Sequence, residues 1–171
     1  MKTKESKILS ERDLQSIRHW ISRMKIFRHL GEEKKKVVAE KALHLNYKMI
    51  GSGKTRIVYD LGNGYVVKVA LSKRGLTSNW KEYDLYNRCS SKLRKHLCPV
   101  IEYGKGWIIM KNVKRMAALT EKYERKLPRL RRRFSREGIT ARSLRSKNLA
   151  LSKADKRIIV IDYGSFRYDG S

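Results

Sequence analysis

Two glycines, a lysine and an aspartate pose the chemical question in this sequence. In Ile50-Gly51-Ser52-Gly53-Lys54-Thr55-Arg56, Gly51 and Gly53 lack a Cβ, so the backbone around Ser52 can come close to phosphate oxygens. Nine residues after Tyr59, Lys68 stands in the run Val66-Val67-Lys68-Val69-Ala70, where a rigid strand can aim an ammonium at phosphate charge. Asp162 follows the apolar run Ile158-Ile159-Val160-Ile161. Taken alone, each signal is weak: a lysine in a strand is commonly just that, and an aspartate after a strand reads equally well as a turn residue. Their order along the chain gives them weight.

The elements that must position them can be read from periodicity. Leu14, Ile17, Ile21, Met24 and Phe27 recur at helical steps behind an S-x-x-D start at Ser10 and Asp13, which predicts an amphipathic helix. After Gly31, the residues Val37, Val38, Lys41, Ala42 and Leu45 predict a second helix running into Asn46. Two basic helices around a glycine also fit a DNA-binding helix-turn-helix, but the stripe is better explained by docking on the domain that follows. From Tyr47 the texture changes to strand-like runs, YKMIG, RIVYDL, YVVKVAL and GWIIM, with a turn at Leu61-Gly62-Asn63-Gly64. A helix between the third and fourth runs is predicted to carry Trp80, Leu85 and Cys89 on one side. A helical region over 112–137, interrupted at Pro128, places Leu127, Leu130 and Phe134 on one face and Arg129, Arg131, Arg132, Arg133 and Arg136 on the others. NLAL and RIIVI then bracket a turn containing Asp155.

In sequence order these segments resemble a protein kinase. The glycine-rich hairpin and Lys68 resemble the phosphate loop and the third strand, although Arg56 replaces the usual third glycine. Ala141-Arg142-Ser143-Leu144-Arg145-Ser146-Lys147-Asn148-Leu149 aligns without gaps to H-R-D-L-x-x-x-N, and Asp162-Tyr163-Gly164, fourteen residues beyond Asn148, resembles the DFG turn. The resemblance implies an α+β fold: an antiparallel N-lobe sheet with helix C and a reduced C-lobe, residues 47–171, preceded by a basic helical extension, residues 1–46. It implies ATP and Mg²⁺ as cofactors. Lys68 would hold phosphates and Glu82 in helix C would orient it, with a merely exposed helical glutamate as the alternative. Asn148 and Asp162 would bind Mg²⁺ through hard oxygen donors, and Arg145 would touch the γ-phosphate. Gly51, Ser52 and Gly53 would line the phosphates, with Met110 in the gatekeeper-like position and Lys111 and Val113 beside the adenine. Only seven residues follow Gly164, so the activation segment and later helices of a full kinase are not expected here.

Ser143 stands where a kinase places its base aspartate. A hydroxyl cannot accept a proton near pH 7, and losing such a base removes about 10²–10⁴ in rate. The phrase Thr140 through Leu149 also resembles the bacterial PhoP-regulatory-network kinase-like proteins, which carry serine in this loop. Weak protein phosphorylation and a pseudokinase with a regulatory role therefore both stay open. A P-loop reading of Gly53-Lys54-Thr55 is disfavoured, because its first glycine would fall at Lys48 and a hairpin, not a helix, is predicted after Thr55.

Composition adds a partner class. The 42 Lys and Arg against 16 acidic residues give a formal charge of +26, which suits a polyanion: nucleic acid first, nucleotide phosphates and acidic protein next, an anionic membrane surface last. The densest stretch, residues 121–147, has eleven Lys and Arg against three Glu, which makes Arg129, Arg131, Arg132, Arg133 and Arg136 nucleic-acid candidates. Cys89 and Cys98 form no metal or disulfide pattern and are expected to be reduced structural thiols. No window approaches the roughly 18 apolar residues of a membrane span, and a cytoplasmic protein is expected.

Overall fold

The computed structural model describes residues 6–170; residues 1–5 of the N-terminal segment lie outside them. The chain forms two units. One runs to Asn79 and takes in Ile101–Asn112; the other comprises Trp80–Val100 and the chain from Val113.

In the first unit, helix α1 (Glu11–Arg23) starts as its sequence predicts, with a Ser10/Asp13 capping box. A 3₁₀ turn, Met24–Phe27, continues it. Helix α2 (Glu32–Leu43) ends at His44, whose φ of 45° is left-handed, so it stops short of Asn46. Its buried residues are Ala39 and Leu43, whereas Val37 is 47% exposed. Val37 stands about 160° around the helix from Ala39 and about 120° from Leu43, so it falls off the buried stripe.

Five strands follow: β1 (Lys48–Ser52), β2 (Arg56–Asp60), β3 (Tyr65–Ala70), β4 (Val100–Gly104) and β5 (Trp107–Lys111), in the sheet order β1-β2-β3-β5-β4. The pairs β1–β2, β2–β3 and β3–β5 are antiparallel. Because side chains alternate across a strand, Ile57, Tyr59, Val67, Val69, Trp107 and Ile109 share a core with Leu14, Ile17, Trp20 and Leu43 of the helices. Trp20 is fully buried, donates its indole N–H to the Ala70 carbonyl at 2.8 Å and stacks on Phe27. Truncating a tryptophan so buried removes on the order of 3–5 kcal/mol. The stripe that also fits a helix-turn-helix is thus spent on docking. The sheet's opposite face carries Val58, Lys68 and Ile108 in one register row and Val66 with Met110 in another.

Helix α3 (Lys73–Arg88) begins against the end of the glycine hairpin. A Cβ on Gly75 would lie 2.1 Å from the Thr55 carbonyl oxygen and 3.1 Å from Ala70, all backbone or short side chain that cannot yield cheaply. We expect Gly75→Ala to lower stability by about 1–3 kcal/mol, read as a lower Tm, whereas Gly53→Ala, with nothing within 4 Å, leaves Tm nearly unchanged. Further along α3, Glu82, Leu85 and Cys89 of the following turn are buried, but Trp80 is 49% exposed. Five residues separate Trp80 from Leu85, about 140° around the helix, so the two do not share the predicted side.

In the second unit, α4 (Ser91–Arg94) is capped by Ser90. Residues 112–120 are not helical; the predicted helical region begins only at α5 (Glu121–Glu124), and Pro128 opens α6 (Leu127–Arg136) instead of breaking it. Leu127, Leu130 and Phe134 are buried, with Phe134 edge-on to Phe166 at 5.4 Å. Strand β6 (Ile139–Thr140) pairs with β9 (Arg167–Tyr168), and β7 (Leu149–Leu151) with β8 (Ile158–Val160), the last pair as predicted from NLAL and RIIVI. No described helix is long and apolar enough to cross a membrane.

Candidate functional site

The candidate residues fall into two groups, one in each unit. In the first unit, Gly51 lies opposite Val58 beside an irregularity in β1, and Gly53 N–H donates to the Arg56 carbonyl at 3.0 Å to close the turn. Neither glycine has a positive φ, and a Cβ on Gly51 would only touch Val58 at 4.0 Å. The hairpin's own backbone therefore does not require glycine at either place, in contrast to Gly75. Ser52 is exposed. Strand β2 starts directly after Thr55, which removes the helix that a P-loop needs. Arg56, in the place of the usual third glycine, is 7% exposed and reaches Asn79 Oδ1 at 3.2 Å, so its side chain braces the hairpin on α3. Lys68 is 6% exposed on the sheet face opposite α1 and α2, and Met110 is fully buried on that same face. Lys111 is exposed and pairs with Tyr65.

In the second unit, Glu82 is fully buried, which overturns the alternative of an exposed helical glutamate. Its carboxylate accepts the backbone N–H of Tyr163 at 3.0 Å, and the Tyr163 hydroxyl donates to the Cys98 carbonyl at 2.8 Å. Burial drives the Tyr163 phenol well above its usual range, with the Glu82 carboxylate adding to the effect. The turn after Asp162 is therefore held at both its backbone and its side chain.

The loop leading to β7 is bonded to itself. Ser143 has a φ of 56°, the left-handed region that few non-glycine residues adopt. Its carbonyl accepts from Arg145 N–H at 2.9 Å and from the Asn148 carboxamide nitrogen at 2.8 Å, and Asn148 N–H donates to the Arg145 carbonyl at 2.8 Å. Leu149 pairs with Val160, and Ile161 N–H donates to the Asn148 carbonyl at 2.8 Å. That register sets Asn148 beside the residue preceding Asp162, at the open end of one hairpin. With its nitrogen committed to the loop, the Asn148 carboxamide keeps its oxygen for another partner. Arg145 is exposed and Val113 half-buried in the same unit. Among the described residues, no group of three or more His, Cys, Asp or Glu is placed to hold a metal ion by itself.

These elements can be compared with known proteins. No family model matches the sequence, and no curated protein does. Among solved structures, the chain is similar to WbdD crystallised with a kinase inhibitor, with 16% identity over 73% of this chain and a TM-score of 0.55. A 2.2 Å crystal structure of WbdD is similar at 15% identity over 73% of the chain, with a TM-score of 0.52. The fold is kinase-like. In both comparisons the chain spans 34% of the length of the WbdD chain, about a third. This kinase-like fold combines helices with a five-stranded antiparallel sheet, as the sequence leads one to expect.

Of the nucleic-acid candidates, Arg129, Arg132, Arg133 and Arg136 recur at i, i+3, i+4 and i+7 within about 100° of the α6 surface, and Arg131 stands apart from them. On α6, Arg132 and Arg136 lie one turn apart and exposed, Arg131 reaches to 3.5 Å from the Ala141 carbonyl, and Arg129 and Arg133 line a cleft. His96, which sequence reasoning passes over, stands beneath Arg133. Its Nδ1–H donates to the Ile158 carbonyl at 2.9 Å, and its Nε2 accepts from the Arg133 guanidinium at 3.1 Å. Burial pushes the imidazole below its usual value, and Arg133, Arg157 and Lys95 push the same way. The folded state thus resists a proton that the unfolded chain takes up near pH 6.5, so stability is fully present above that pH and falls as pH drops through it. We expect Tm to decline between pH 7.5 and pH 5.5, with a shallower decline in His96→Gln, measured by circular dichroism. A lone histidine between Lys95 and Leu97 carries no sequence signal for this role.

Proposed function

We propose that this chain binds ATP with Mg²⁺ and acts as an atypical, weak phosphotransferase toward a protein, in a regulatory role. The observation that carries the reading is the loop register that sets Asn148 beside the segment leading to Asp162, two hard oxygen donors at the open end of the β7–β8 hairpin. Asn148 and Asp162 would hold Mg²⁺, which would supply neutralisation of phosphate charge. On the first unit, Lys68 would take the α- and β-phosphates, and the amides of Gly51, Ser52 and Gly53 the phosphate edge. Glu82 would orient Lys68, Arg145 would meet the γ-phosphate, and the backbone near Met110, Lys111 and Val113 would hold adenine. The glycines fit this reading: a Cβ at Gly53 would meet nothing within 4 Å, so the hairpin leaves that space open to a ligand. The WbdD structures, one of them with a kinase inhibitor, support a nucleotide site on this fold. Division into an extension, residues 1–46, and a kinase-like domain, residues 47–171, a cytoplasmic location and a kinship with the PhoP-network kinase-like proteins belong to the same proposal.

A second reading, a pseudokinase serving as a basic nucleic-acid-binding or regulatory module, is favoured by one observation. No carboxylate lies between Ala141 and Leu149, and the next acid along the chain, Asp155, is ion-paired with Arg157. Calorimetry of ATP binding with and without Mg²⁺ tests the first reading. Saturable binding is expected, weakened at least tenfold in Lys68→Ala and weakened in Gly53→Ala without loss of Tm. No saturable binding by the wild type would sink the ATP site and leave the basic module.

A further inference from the structure

Two arginines of α6, Arg129 and Arg133, line a cleft together with basic side chains from two other segments. Lys95 follows α4; Lys126, Arg129 and Arg133 come from the start and middle of α6; Lys156 and Arg157 come from the turn between β7 and β8. Together they line a cleft of about 340 Å³ in the second unit. The carboxylate in that lining belongs to Asp155, which Ser152 and Arg157 keep below its usual range and which is ion-paired with Arg157. Among the described residues, Lys95, Lys126, Arg129 and Lys156 make no ion pair. Lys156 holds a φ of 55°, a left-handed position where glycine or asparagine is the ordinary choice. His96, kept neutral beneath the cleft, accepts from Arg133 and so aims the guanidinium from below.

Six cations converging on one concavity repel one another, and a compact polyanion relieves that repulsion. We propose that this cleft is a binding site for a small polyphosphate, a ligand presenting two or more linked phosphate groups, separate from the nucleotide site and independent of it. A small ligand fits better than a nucleic-acid strand for two reasons. A strand spreads its phosphates along a line and asks for a track, whereas these cations come from three segments around one cleft, whose lining does not include Arg132 or Arg136. Single strands also stack bases on large aromatic rings, and the cleft lining has no Phe, Tyr or Trp: its apolar floor is Leu130 and Ile158.

The test is calorimetry of the full chain with sodium tripolyphosphate, without Mg²⁺, at two salt concentrations. One tripolyphosphate per chain is expected. Affinity should fall at least tenfold in the Arg129→Gln/Lys156→Gln double variant, and remain within twofold of wild type in Arg132→Gln/Arg136→Gln and in Lys68→Ala. Lys95→Gln serves as an independent second variant, and Tm of every variant is read alongside; tenfold weakening with wild-type Tm supports the site. Equal weakening by both double variants would mean a diffuse field, and loss confined to Lys68→Ala would assign the anion to the nucleotide site; either overturns the proposal. It is likewise overturned by the absence of saturable binding, or by a ten-nucleotide single-stranded RNA that binds more tightly than tripolyphosphate and loses that advantage only in the cleft variants.

Discussion

In Asp162→Ala, ATP affinity should lose its dependence on Mg²⁺ and fall about 30- to 100-fold at saturating metal, a loss of about 2–3 kcal/mol. The reasoning is local. Asp162 supplies the formal negative charge of the Asn148–Asp162 pair, and Mg²⁺, which dehydrates reluctantly, is held by one or two protein oxygens together with phosphates. Removing the carboxylate leaves a neutral carboxamide that cannot compete with water for the ion. Asp162→Asn keeps the shape and removes the charge, so it should behave as Asp162→Ala does; an Asn variant that kept wild-type Mg²⁺ dependence would show that charge at this position is irrelevant. Metal-free ATP binding should change little in either variant, since Lys68 and the glycine hairpin do not depend on the ion.

Ser143→Asp is expected to raise ATP hydrolysis and autophosphorylation by about 10²-fold, the lower end of what a positioned general base contributes. The backbone is ready for the change. Ser143 already sits at a φ of 56°, and aspartate and asparagine adopt that region more readily than most residues, so the new carboxylate enters with little strain. Its neighbours are fixed by the bonds from Arg145 and Asn148 to the Ser143 carbonyl, which involve the main chain and survive the substitution. Ser143→Asn supplies the same shape without a base and should show no gain. If Ser143→Asp binds ATP·Mg²⁺ normally yet transfers no phosphate, the pseudokinase reading becomes the better account, because positioning and not the missing base would be at fault.

Much of the fold is legible in the sequence wherever one physical signal dominates. The Ser10 cap, the alternating apolar strands and the Gly62-Asn63-Gly64 turn each carry their own explanation, and the turn glycines take positive φ as such a turn demands. Strand β4, Val100–Gly104, is missed because its exposure pattern does not alternate cleanly: Ile101 is 41% exposed, so the period-2 signal fails at the sheet edge. The faces of α2 and α3 are misjudged at Val37 and Trp80, where residue type suggests burial and packing geometry decides otherwise. For the candidate site, motif order singles out residues, but not the bonds that surround them. Nothing in the sequence announces that Glu82 grips the Tyr163 amide, or that Lys95, Arg129 and Lys156 converge, since these contacts join segments far apart in the chain.

The double anchoring of Tyr163 bears on how this protein is controlled. Swinging that turn outward would break the Glu82 bond and the Cys98 bond together, each a buried interaction whose loss costs about 1–3 kcal/mol. A rearrangement of at least a few kcal/mol leaves the swung-out conformer at a per cent or less of the population. Compounds that recognise only such a conformer would bind weakly for that reason alone, and a Tyr-to-Phe exchange at this position would relieve part of the handicap. The turn is thus built as a fixed strut, and moving it takes a ligand or modification that supplies those few kcal/mol.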